Sequence, residues 1–266
     1  MMYLVNQIAL GLLVNTIKIP FDNGANIKGS SKAPEIIVEK LDFLNIENDY
    51  TVNANQHLIT VFGDGFLNTW KTLNSNKFPI IIGGDHTVAV SSIYASNEYT
   101  RMNGERLGVL WCDAHADFNT METSESKNIH GMPVSILCGD TLPILANGPP
   151  LDYDQFAFYG VRDMDSLEFY RFQDKNMKII ETDNEFYKWI SLFDKVHVSF
   201  DIDCLDPSII SSVNTPVKNG KTVDDLKNIF TKVKNSGKLM SMDIVEYNPD
   251  IGDKVDIIID IVKSLF

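Results

Sequence analysis

The sequence predicts an α/β fold: a three-layer sandwich in which helices cover both faces of a central, mostly parallel sheet. Three observations predict it. Short apolar runs recur along the chain and end in polar residues, as strands buried on both faces do. Helical patterns alternate with those runs from end to end. A chain of 266 residues, 44% of them hydrophobic, can bury a core of the size such a sheet needs. No break in composition marks a second domain, so residues 1–266 are read as one domain.

In chain order, residues 1–19 mix apolar residues with Asn6, Gln7 and Asn15 and read as a first strand region. Residues 34–44 and 58–73 repeat apolar residues at helical spacing, and Pro34 suits a first helical turn, where its missing N–H costs nothing. The apolar runs 79–82 and 107–112 read as strands, the first leading into Gly83-Gly84-Asp85-His86 and the second into Asp113. Residues 139–153, with Pro143, Gly148, Pro149 and Pro150, read as a connection. Two more strand-like runs, 156–160 and 196–200, end before Arg162 and Asp201. In 223–236, Leu226, Ile229, Phe230 and Val233 share a helical face, Thr222 and Asp225 suggest a capping box, and Gly237 suits the stop. A strand at 239–245 runs into Glu246, and 255–266 reads as the last helix.

A formal net charge of −13 argues against nucleic acid or an anionic membrane surface as partner, because a broad acidic face repels both. A cationic small molecule fits that charge better. The three cysteines, Cys112, Cys138 and Cys204, are scattered and lack the spacing of a zinc knot or disulfide framework, which points to a reducing, cytoplasmic setting. The amino-terminal residues carry no basic leader and are too interrupted by polar residues to span a membrane.

The acidic and histidine residues gather where strands are expected to end, the side on which such sheets bind ligands. Asp113, His115 and Asp117 are two residues apart, so in an extended segment their side chains project to one side. Asp201 and Asp203 repeat that spacing on another strand end. Carboxylates gathered this closely repel one another unless a cation neutralises them. Solvated acidic loops beside a core histidine are the alternative, but each cluster follows a run too apolar for a surface loop. Neutral His86 and His115 with ionised Asp113, Asp117, Asp201 and Asp203 leave four negative charges, which two divalent ions balance. Oxygen-rich ligation with little imidazole and no thiolate favours Mn²⁺. Two ions about 3.5–4 Å apart can share a bridging water, lower its pKa and hold the hydroxide against an electrophilic carbon. The residues alone therefore read as a binuclear metal hydrolase. His197, inside an apolar run, reads as a core histidine, and Cys204 as a buried small hydrophobe.

Three segments resemble the signatures of the ureohydrolases, the arginase and agmatinase group: Gly83-Gly84-Asp85-His86, Asp113-Ala114-His115-Ala116-Asp117, and Ser199-Phe200-Asp201-Ile202-Asp203-Cys204-Leu205-Asp206-Pro207. The resemblance covers roughly residues 79–249. It implies an arginase-like sandwich with two Mn²⁺ ions that hydrolyses a guanidino group to urea and an amine. Carried over by residue, it puts one metal on His86, Asp113, Asp117 and Asp201, and the other on Asp113, His115, Asp201 and Asp203. Asp117 would also hold the bridging hydroxide and pass its proton toward the leaving nitrogen.

The segment from Phe118 to Pro133 resembles the arginase branch, implying conversion of L-arginine to L-ornithine and urea, with an agmatinase or another amidinohydrolase as the alternative. In that resemblance Asn119 and Ser126 hold the substrate's carboxylate, Asp165 its ammonium group, Glu246 the guanidinium, and Thr215 lies in the pocket. His130 matches the histidine that moves protons to the product amine. Taken alone, Asn119, Ser126 and Asp165 are ordinary loop residues, and Glu246 could be a salt-bridging strand end. The resemblance also implies a homo-oligomer, a trimer or hexamer. A relative that binds metal without catalysis is a second alternative, against which six intact ligands, His130 and Glu246 all speak. The deacetylases of this fold use a tandem histidine pair, and no His-His occurs here.

Overall fold

A computed structural model describes residues 11–266. Among them, eight strands form one sheet: β1 (Leu13–Ile19), β2 (Asn45–Thr51), β3 (Phe78–Gly83), β4 (Leu107–Cys112), β5 (Phe156–Tyr159), β6 (Lys178–Ile179), β7 (Lys195–Asp201) and β8 (Leu239–Val245). Their order is β2-β1-β3-β8-β7-β4-β5-β6, and every neighbouring pair runs parallel. Parallel strands need crossovers, and helices supply most of them: Leu58–Asn74, Ala89–Met102, Asp183–Ile190 and Val223–Ser236 each lie between two strands.

All residues of β3, β4 and β8 are buried, and the period-two pleat divides them between two cores. Ile80, Ile82, Leu110, Val198 and Ile244 pack on one face with Phe230 and Ile258. Ile81, Val109, Trp111 and Val245 pack on the other with Val61 and Ile93. Runs that are apolar on both sides are what such a sheet requires.

The described part of the expected first strand region is β1, and residues 1–10 lie outside the description. The helix expected over 34–44 is shorter, Ala33–Val38. Lys40 and Leu41 then donate to the Ile37 and Val38 carbonyls, each at 3.0 Å; these turns bury Leu41 and bring the chain round into β2. The edge strands β2 and β6 lacked a sequence signal. β2 is half-exposed and polar, with Glu47, Asn48 and Asp49, and β6 has only two residues. The last helix ends at Val262 and tightens into a 3-10 turn, Lys263–Leu265. The four central strands, β3, β8, β7 and β4, bring their carboxyl ends side by side, and from those ends the site is built.

Candidate metal centre

The Gly-Gly-Asp-His segment after β3 is shaped by crowding. A Cβ on Gly84 would collide with the Phe21 carbonyl oxygen, so only glycine lets the backbone pass. Asp85 then accepts hydrogen bonds from the backbone N–H groups of Gly24 at 2.6 Å and Thr87 at 3.0 Å. These bonds set the 3-10 turn His86–Val88 and aim the buried His86 ring at the neighbouring strand ends.

Asp113 follows β4 directly. Its Oδ1 accepts from the His115 N–H at 2.7 Å and its Oδ2 from Trp111 Nε1 at 2.9 Å. The Trp111 ring lies flat on the His86 imidazole, with centroids 4.1 Å apart and planes 9° from parallel. Asp201 ends β7 and accepts from the Asp203 N–H at 2.8 Å. Asp203 accepts from the Ala114 N–H through Oδ1 and from the Thr215 hydroxyl through Oδ2, both at 3.0 Å. Backbone and side-chain donors thus hold the carboxylates in place.

The expected extended spacing after β4 holds only in part, because Asp117 has a φ of +49°. Glu246, past the end of β8, has a φ of +66°. Left-handed backbone at residues other than glycine costs on the order of 1–3 kcal/mol and gathers at functional sites. Asp117 faces the His86 ring, and Glu246 meets the His86 N–H and His130.

His86 Nδ1 lies 3.0 Å from Asp113 Oδ2, 3.1 Å from Asp201 Oδ2 and 3.2 Å from Asp117 Oδ2, yet it is buried without a well-formed hydrogen bond. His115 Nδ1 lies 3.1 Å from Asp203 Oδ2 and 3.4 Å from Asp113 Oδ1. Ligand-type atoms of His86, Asp113 and Asp117 fall within 4.8 Å of one another, as do those of Asp113, His115 and Asp203. Asp113 belongs to both groups, and Asp201 adjoins the first. An orphaned imidazole nitrogen facing three carboxylates, beside a second such group, fits a pair of cation sites.

Electrostatics agree. Burial, followed by the charge of Asp113, pushes the Asp117 carboxyl up to about 6. Burial and neighbouring carboxylates also raise Asp201 and Asp203. Burial opposes the charged form of His86 too, but the carboxylates of Asp113, Asp117 and Asp201 outweigh it and raise that histidine. Without cations, protons must do the neutralising.

A cavity opens over the cluster, lined by His115, Asp117, Asn119, His130, Asp165, Glu168, Asp201 and Thr215. Asn119 Nδ2 donates to Asp165 Oδ2 at 3.1 Å, joining two of the expected substrate contacts. His130 Nδ1 lies 3.0 Å from Glu246 Oε1, which also accepts from the His86 N–H at 2.9 Å. Glu246 Oε2 is buried without a partner. Ser126 stands apart: it is exposed, does not line the cavity, and its hydroxyl accepts from the Asn128 N–H at 3.2 Å.

Glu168 was not anticipated. It lines the cavity, accepts from the Phe118 N–H at 2.8 Å, and burial pushes its carboxyl up to about 8. Its only sequence signal was its place three residues after Asp165, where it accepts from the Asp165 N–H at 3.3 Å as a helix cap does. Trp111 was hidden inside an apolar run.

A family model described as Arginase family matches residues 14–265. The chain is 31% identical to the arginase of Entamoeba histolytica, over 91% of this chain and 93% of that protein. It is 32% identical to the arginase of Staphylococcus aureus, over 84% and 76%. The solved structure of the Entamoeba histolytica arginase in complex with L-ornithine superposes with a TM-score of 0.88 at 27% identity, covering 96% of this chain and 99% of that one. The arginase of Bacillus subtilis superposes at 0.85 with 28% identity, covering 95% and 98%.

Proposed function

The chain belongs to the arginase family of hydrolases, and from that premise we propose that it converts L-arginine and water to L-ornithine and urea. One observation carries the reading: the paired His/Asp groups sharing Asp113 stand beside a buried Glu246 whose Oε2 lacks a partner. A buried carboxylate oxygen in want of a donor suits a guanidinium, which offers planar N–H groups. The solved relative that holds L-ornithine supports the choice of an amino-acid product.

We assign His86, Asp113, Asp117, Asp201, His115 and Asp203 as the ligands, and Mn²⁺ as the ion, on the oxygen-rich donor set. Two divalent cations held there would balance the four carboxylates and lower the pKa of a water poised against the guanidinium carbon. Glu246 orients the guanidinium. Asp117 takes up a proton from the attacking water and gives it to the leaving nitrogen. His130, held by Glu246, moves the next proton to the amine. Asn119 and Ser126 bind the α-carboxylate and Asp165 the ammonium group, while Thr215 holds Asp203 and faces the guanidino end.

Ser126 needs to turn toward the cavity to serve. The three cysteines are buried and unpaired, which supports a reducing cytoplasm. No helix among the described residues is long and apolar enough to cross a membrane. We read residues 1–266 as one domain that works as a homo-oligomer, a trimer or hexamer; exposed Leu167, Phe169 and Tyr170 offer apolar surface for contacts between copies.

The test is urea release with Mn²⁺ on L-arginine, agmatine and 4-guanidinobutyrate. Preference for arginine is expected. A preference for agmatine or 4-guanidinobutyrate makes the chain a sister amidinohydrolase, and no urea from any of them in protein holding two ions leaves the non-catalytic relative.

A further inference from the structure

Beneath the metal centre, a chain of polar side chains runs through the otherwise apolar sheet. Ser199 and His197 on β7, and Ser241 and Asp243 on β8, are each 0% exposed, as are Ser92 and Ser96 on the helix Ala89–Met102 above them. Burying so many polar groups costs stability unless each finds a partner. Here they bond to one another. Ser199 donates to Asp243 Oδ1 at 2.6 Å. Asp243 Oδ2 meets His197 Nε2 at 2.8 Å and accepts from the Ser92 hydroxyl at 3.0 Å. His197 Nδ1 lies 2.8 Å from Ser241 Oγ, which lies 2.8 Å from Ser96 Oγ.

The upper end of this chain touches His86. Its Nε2 lies 2.9 Å from Ser199 Oγ. A hydroxyl has one hydrogen, and that of Ser199 is given to Asp243. Ser199 therefore meets His86 with a lone pair only, and Nε2 must carry the hydrogen. Nδ1, facing Asp113, Asp117 and Asp201, is left as the nitrogen that can bind a cation. Metal-bound imidazoles commonly have their other nitrogen tied to a carboxylate or carbonyl, which fixes tautomer and ring orientation. Here the carboxylate acts through a serine and is itself held by a histidine.

We infer that Ser199 and Asp243, backed by His197, are positioning residues that hold His86 in the Nε2–H tautomer with Nδ1 presented to the first cation. The inference rests on His86 being a metal ligand. It gives His197, otherwise a core histidine, a task, and it predicts asymmetry: only the ion near His86 depends on the chain, because no member of it touches His115.

The test is manganese titration of metal-stripped protein, following free Mn²⁺ by its electron paramagnetic resonance signal. Unmodified protein should take up two ions. In Ser199→Ala, and likewise in Asp243→Asn, one ion should bind about 10–100-fold more weakly while the other is unchanged, with Ser199→Thr restoring affinity. Two ions bound as tightly by Ser199→Ala and Asp243→Asn as by the unmodified chain overturn the inference alone, as does an equal weakening of both ions. Unmodified protein that fails to hold two ions overturns the two-ion reading beneath it. Should the variants not fold, the unmodified zinc-loaded protein decides by nuclear magnetic resonance: a slowly exchanging Nε2–H on His86 is expected, and an Nδ1–H contradicts the inference.

Discussion

His130, which lines the cavity, has its Nδ1 3.0 Å from Oε1 of the buried Glu246, and that contact sets the charge of the histidine. Burial disfavours the imidazolium, but the Glu246 hydrogen bond and charge outweigh it and push His130 up to about 9. In the proposed role of proton donor to the product amine, His130 would work in its protonated form. Turnover should therefore fall as pH rises through about 9, and His130→Asn should remove that limb. The same variant should lower kcat by about 100-fold or more with a smaller change in KM, since acid–base catalysis contributes about 10²–10⁴. An unchanged kcat would remove the shuttle from the account. The pair also links to stability. With a folded value of about 9 above the ordinary histidine value, its stabilisation is complete below about 6.5 and lost as pH rises through 9.

Asp117 combines a left-handed backbone with a carboxyl raised to about 6. Asn tolerates that backbone almost as well as Asp, so Asp117→Asn should fold and keep one ligand oxygen. It should still bind metal while kcat drops by about two orders of magnitude or more, a loss typical of a missing acid–base group. Steady-state kinetics beside metal analysis checks this, and a near-normal rate contradicts the role.

Arg162 fastens the loops that carry Asp203 and Thr215, beside the second group of proposed ligands. Its guanidinium donates to the carbonyls of Gly160 at 2.9 Å, Asp203 at 2.8 Å, Val217 at 2.7 Å and Lys218 at 3.1 Å. The rigid planar fork offers five donors spread in one plane, where an ammonium offers three from a single nitrogen. Arg162→Lys should loosen the Asp203 and Thr215 loops together, weakening the ion at His115 about 10-fold and raising KM. Metal titration of the variant measures it; affinity unchanged at both ions would show the latch to be dispensable.

How much of this was legible in the sequence depends on the kind of signal. Strands β3, β4, β7 and β8 were readable because burial on both faces forces largely apolar runs, and the proposed ligands His86, Asp113, Asp117, Asp201 and Asp203 lie at or just past their ends. The edge strand β2 was not, since one side meets solvent and tolerates Glu47 and Asp49. The helix after Pro34 was overextended because Leu41 keeps the helical spacing while packing from a turn. Glu168 carries no local signal beyond its spacing from Asp165, His197 reads as a core histidine, and Ser199 and Asp243 are polar residues inside core strands. Their partnership depends on β7 pairing with β8, with His197 opposite Ser241 and Ser199 opposite Asp243, and pairing between strands distant in sequence is not written locally.

Trp111 offers a reporter. Its ring stacks on His86 and its Nε1 donates to Asp113, so a cation at those ligands changes its surroundings directly. Tryptophan fluorescence of the stripped protein should shift on adding Mn²⁺, and Trp111→Phe should abolish the shift although Trp70 and Trp189 remain. A shift of undiminished size in Trp111→Phe would contradict this placement.

Two cations and the surrounding carboxylates are proposed to hydrolyse arginine together. This is tested most directly by adding Mn²⁺ stepwise to metal-stripped protein and measuring urea released from L-arginine against ions bound. Urea production should reach its maximum only as the second ion per chain is taken up. Full activity at one ion, or no urea with two bound, would contradict it.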